Sequence, residues 1–152
     1  MKTALATALF FMTSAAAAAP APVVLSKTFD VCATPVHGVR YQMTEGLDAA
    51  AGTAKQGSAT VNILIGRHPE LPSGIKNPFG TTLASAIALQ GQAPKADGTG
   101  KVSLYAYGVG MVNMGPKPFQ DQILITIQAD NGAANVALLD KVGHALVRCG
   151  RH

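Results

Sequence analysis

Two cysteines, Cys32 and Cys149, stand near opposite ends of the 152-residue chain, and there are no others. Joined, they would close most of the chain into one loop and tie its first strand to its last element. Whether they join depends on compartment, because disulfides persist outside the cytoplasm and thiols stay reduced within it. The N-terminus speaks to that choice. Lys2 is the only charge before Lys27, Ala4 to Met12 is an apolar run, and small residues fill Thr13 to Ala19. A basic start, a short apolar stretch and an Ala-x-Ala end are the parts of a cleavable signal peptide. A transmembrane anchor needs about 20 strongly apolar residues, and the second half of this run is almost pure alanine. Proline suits an extended protease subsite badly, so Pro20 and Pro22 place the cut after Ala18. Residues 1–18 are expected to be a cleaved signal peptide, and 19–152 a single exported domain with no transmembrane segment. An even cysteine count in such a chain favours a Cys32–Cys149 disulfide.

About 134 residues are enough for one core and too few for two. Losing Lys2 takes one charge from a formal net of +4, and the remaining basic residues are scattered. Without basic runs and interleaved aromatics, nucleic acid is not an expected partner. Two of the five Phe, Phe10 and Phe11, leave with the leader, and there is no Trp. The core must therefore be aliphatic, and sites that stack a ligand on flat rings are disfavoured.

Hydrophobic alternation predicts strands over Val23 to Val31, Val39 to Thr44, Ala59 to Ile65, Val102 to Val109 and Gln120 to Ala129. In Val102 to Val109, Leu104 lies on one side and Tyr105 and Tyr107 on the other, with Gly108 and Gly110 ending or bulging the strand. Leu47 to Gly57 reads as a loop or weak helical turn. Arg67 to Gly80, with Pro69, Pro72 and Pro78, reads as a long irregular loop. Thr82 to Gln90 is ambiguous between helix and strand and leans to strand; Gly91 to Gly100 is a turn. After Asp130-Asn131-Gly132, with Asp130 or Asn131 as cap, a helix places Val136, Leu139, Val142, Leu146 and Cys149 on one face. Asp140, His144 and Arg148 form its wet side. The expected fold is α+β, a mostly antiparallel sheet of about five or six strands with a C-terminal helix packed on one face.

Few groups suggest chemistry. Cys32-x4-His37 and His144-x4-Cys149 contain the ligand types of a zinc site. His144 and Cys149 lie roughly 140° apart round a helix, so a disulfide is expected and no metal. Met43, Met111 and Met114 could offer thioethers to copper, with core or loop packing as their ordinary use. The densest charged cluster opens the long loop with Arg67, His68 and Glu70, and Lys76 and Phe79 follow. Long loops on rigid scaffolds are where sites tend to lie, so these five are the binding-loop candidates, with Gly110 to Phe119 as a second loop.

No Gly-x-Ser-x-Gly elbow is present, and Gly108-Val109-Gly110 lacks the third glycine of a dinucleotide loop. No cofactor is expected. The leading expectation is a non-catalytic exported domain that binds a protein, a small molecule or an envelope component, first in the periplasm and second as a secreted protein. One alternative is a small secreted hydrolase using His68 or His37. Another is a periplasmic metal-handling protein.

Overall fold

The computed structural model describes residues 20–67, the backbone of 95–96, and residues 100–150. The leader cut after Ala18 lies outside the described residues. So do His68, Glu70, Lys76 and Phe79, and the Thr82 to Gln90 segment.

The two segments with the cleanest alternation form the middle of a sheet. Val61, Ile63 and Ile65 from one, and Ile123, Ile125 and Ile127 from the other, are each 2% exposed or less. In chain order the strands are β1 (Val23–Ser26), β2 (Val31–Ala33), β3 (Arg40–Glu45), β4 (Ala49–Gln56), β5 (Ala59–Arg67), β6 (Lys95–Ala96), β7 (Lys101–Val112), β8 (Phe119–Asp130) and β9 (Leu146–Arg148). A helix, α1 (Ala133–Ala145), lies between β8 and β9. Six strands form one sheet in the order β3-β4-β5-β8-β7-β6, and three form a second in the order β1-β2-β9. Every pairing is antiparallel. Residues 2 apart on a strand share a face, so Ile63, Ile127 and Leu104 line up across the inner face in register. Leu138, Leu139, Val142 and Ala145 of α1 are buried in the same core. The fold is α+β with the C-terminal helix packed on the sheet, as expected, but the strands divide between two sheets.

Several local expectations are corrected. Val23 to Val31 is two strands, because Lys27 to Asp30 is a turn that folds β2 back onto β1. The turn contains neither Gly nor Pro. Asp30 takes its left-handed position, with φ of 53°, a conformation that aspartate tolerates better than most residues.

Leu47 to Gly57 is not a loop, since it contains β4. Its inward residues are Ala50, Gly52 and Ala54, too small to produce a hydrophobic alternation. The missing bulk comes from the neighbouring strand, whose Tyr41 and Met43 pack against the core. Met43 stands opposite Gly52, and its sulfur lies 2.7 Å from where a Cβ on Gly52 would be. Burial of Tyr41 raises the pKa of its phenol, and its hydroxyl finds no hydrogen-bond partner among the described residues. That is an unrecovered desolvation cost.

β7 does not end or bulge at its glycines. Gly108 stands in register with Ile123 and Gly110 with Asp121, and the strand continues to Val112. Ladder hydrogen bonds from β8 hold the backbone where side-chain packing is absent. The loop expected from Gly110 to Phe119 is therefore only a short connection over residues 113–118. Tyr107 is buried although it faces away from Leu104.

The C-terminal helix is shorter than its periodicity. It stops at Ala145, whose carbonyl accepts from the Thr34 N–H at 2.8 Å. Leu146 turns extended, with φ of −64° and ψ of 129°, and pairs with Ala33 as β9 begins. A third strand for the β1–β2 hairpin outweighs another helical turn. Cys149 is thus brought to Cys32 by a strand and not by a helix face, and Arg148 does not belong to the wet side of a helix. Nor do Asp130 or Asn131 cap α1: the cap is Gly132, without a side-chain bond. Asn135 anchors the start instead, its amide donating to the Asp130 carbonyl at 3.1 Å and accepting from the Thr60 N–H at 3.0 Å.

Candidate functional site

The turn at Lys27 to Asp30 is where the two sheets meet. Glu45, at the end of β3, accepts from the Ser26 hydroxyl at 2.6 Å and from the Thr28 and Lys27 N–H groups at 2.9 and 3.2 Å. From the opposite side, Asn113 donates its backbone N–H to the Thr28 carbonyl at 2.7 Å and its side-chain amide to the Lys27 carbonyl at 2.9 Å. The ends of β3 and β7, four places apart in the sheet order, therefore converge on one turn. The large sheet must curl for this to happen.

Burial opposes ionisation of Glu45, but hydrogen bonds from Ser26, Thr28 and Lys27 outweigh it, and its pKa is lowered. A carboxylate whose folded pKa lies below the ordinary value of about 4.3 contributes stability that is fully present above that value. The contribution is lost as pH falls through the folded pKa. Glu45→Gln is accordingly expected to cost about 1 kcal/mol near neutral pH, discounted for the exposure of the side chain. The loss should vanish as pH falls through the Glu45 pKa. Urea unfolding at stepped pH checks this, and a difference constant across the acid range would contradict it.

On the outer side of this junction lies a cleft of about 670 Å³. One wall is Val24, Lys27 and Asp30 from the small sheet, and the other is Met111, Asn113, Pro118 and Gln120 from the β7–β8 tip. Arg148, Cys149 and Gly150 complete the lining. The walls are tied in place. Arg148 Nε donates to Asp30 Oδ2 at 3.0 Å, the Cys149 N–H reaches the Asp30 carbonyl at 3.3 Å, and Cys149 is disulfide-bonded to Cys32 across a Cα separation of 4.9 Å. Asp30, the residue with the left-handed backbone, is thus held through its side chain and its carbonyl.

The expected disulfide is present, so neither sulfur is free to bind zinc. His37 is exposed in the connection from β2 to β3, and its carbonyl accepts from Gln56. His144 is exposed beside Asp140, 3.3 Å away. Met43 and Met114 pack against the core, while Met111 lines the cleft. Among the described residues no group of three or more His, Cys, Asp or Glu could hold a metal ion. No helix there is long and apolar enough to cross a membrane.

Of the five binding-loop candidates, only Arg67 is among the described residues. It ends β5, and its guanidinium is ion-paired with Asp121 and lies 5.2 Å from the centre of the Phe119 ring. The hydrogen bond from Arg67, helped by the Gln122 N–H, lowers the pKa of Asp121. The start of the long loop and the end of the second candidate loop are therefore in contact. Sequence reasoning missed Val24, Lys27, Asp30, Gln120 and Arg148. None carries a motif: Arg148 arrives because β2 recruits β9, and Gln120 because Asn113 ties the β7–β8 tip to the turn.

No family model matches this chain, and no curated protein or solved structure is significantly similar to it.

Proposed function

We propose that this protein is an exported, non-catalytic binding domain of the cell envelope, acting in the periplasm, and that it takes a small amphipathic ligand in the cleft between its sheets. The cleft is the observation that carries this reading. Its volume lies within the few hundred to about 1,000 Å³ typical of ligand sites, which combine apolar walls with a few convergent polar groups. Val24, Met111, Pro118 and the disulfide offer the apolar surface. Lys27, Asn113, Gln120 and the Arg148–Asp30 pair offer charge and hydrogen bonds. Asp30 is committed to Arg148, and the described lining sets no nucleophile beside a base, which favours holding a ligand over turning it over. The disulfide supports an oxidising compartment.

Native mass spectrometry of mature protein isolated from its own envelope fraction tests the reading. The wild type should carry a small-molecule adduct, and Met111→Glu should retain it at least tenfold less well while unfolding at an unchanged urea midpoint. Equal retention by M111E would remove the cleft. A combined alanine variant of Arg67, His68, Glu70 and Lys76 separates cleft from loop, because loss in that variant alone would move the site to the long loop. Turnover of a screened substrate, abolished by His68→Ala or His37→Ala, would replace binding with hydrolysis.

A further inference from the structure

Arg40 opens β3 and stands directly opposite Lys55 of β4, and two residues further along Gln42 stands opposite Thr53. All four lie on the outer face, since the intervening Tyr41 and Ala54 belong to the core. Together they line a groove of about 440 Å³, rimmed by Gly38 and Gly57. The rim is braced from the side by Gln56, which donates to the His37 carbonyl at 2.7 Å and accepts from Lys141 Nζ at 3.0 Å. Directly opposed residues have Cβ atoms about 5 Å apart, and like charges so placed are destabilising. No acid among the described residues relieves this pair: the ion pairs there are Arg67–Asp121, His144–Asp140 and Arg148–Asp30. The nearest acid on β3 is Glu45, about 17 Å along the strand and occupied by the Ser26 to Thr28 turn.

We propose that this face is a second, anion-binding site that takes a doubly charged phosphate group. The guanidinium can hold two oxygens side by side, and the lysine ammonium meets a third as a point charge. The Gln42 amide and the Thr53 hydroxyl supply two more donors on the same face. A terminal phosphate is close to −2 at neutral pH and balances both cations, whereas a carboxylate would leave one unmatched. Binding would turn a repulsive cross-strand pair into a bridged one. This site shares no residue with the cleft and stands whether or not the cleft takes a ligand.

The test uses the mature protein in two arms, with NMR amide shifts as the readout. In the first, inorganic phosphate is titrated against chloride at constant ionic strength. In the second, vesicles of phosphatidylcholine with or without phosphatidic acid are used. Saturable shifts confined to residues 38–43 and 53–57 are expected, weakened at least tenfold by Arg40→Gln or Lys55→Gln and unchanged by Lys117→Gln, which removes one charge elsewhere. A response to free phosphate assigns a soluble ligand. A response only to phosphatidic acid vesicles, with the same variant pattern, assigns a membrane-borne phosphate. No saturable response in either arm, or equal weakening by K117Q, would overturn the proposal.

Discussion

Replacing Cys32 and Cys149 together by alanine is expected to lower the free energy of unfolding by about 5 kcal/mol, the loop-closure value for a bridge of this span in the chain-entropy model. The two residues are 117 apart in sequence, so the bridge restrains most of the unfolded chain. Domains of this size are stable by only about 5–15 kcal/mol, and the loss is a large share of the total. Cys32 is also buried at the middle of the small sheet, where truncation removes packing. Guanidinium unfolding of C32A/C149A, beside wild type with and without reductant, measures the effect. A loss under 1 kcal/mol would show that β9 docks without its covalent link.

The cleft should fail before the fold does. Cys149 carries the N–H that reaches Asp30, and Arg148 beside it carries the guanidinium that holds the Asp30 carboxylate. Freeing the chain end from β2 loosens both contacts and hence one wall.

Gly52→Ala is expected to destabilise by about 3 kcal/mol, at the upper end for overpacking a close contact. An added Cβ would overlap the Gln42 carbonyl oxygen and come within 2.7 Å of both Cα and sulfur of Met43. The sulfur belongs to a flexible side chain and can retreat. The backbone of β3 cannot, unless it parts from β4. Thermal unfolding should show a lowered midpoint, and hydrogen exchange should show lost protection over 40–45 ahead of 61–65. Full protection of β3 in G52A would mean that the strand shifts without separating. Gly143 makes a contrasting case. The nearest atoms a Cβ there would meet belong to the side chain of Leu104, at 2.8 Å, and repacking can absorb it.

The contrast between β4 and β8 explains which strands were legible. Ile123, Ile125 and Ile127 announce a face because each is large enough to be buried for its own sake. Ala50, Gly52 and Ala54 announce nothing, since their face is filled by Tyr41 and Met43 from the next strand. Periodicity reports what a residue buries by itself, and β4 is a strand because of what its neighbours bury over it. The same limit applies to Gly108 and Gly110, which read as breaks and are carried through by pairing with Ile123 and Asp121.

The sequence by itself determined the chemistry of Cys32 and Cys149, the aliphatic core, the class of fold and the approximate places of its central strands and helix. Those follow from local patterning and composition, which need no partner. Tertiary structure alone decided that the chain turns back at Asp30, that the helix yields to a strand at Leu146, and that Lys27, Met111 and Arg148 line one cleft. In each case contacts between distant parts of the chain, 86 to 118 residues apart, settle what local patterning leaves open. Ala33 pairing with Leu146 and Asp30 holding Arg148 are such contacts.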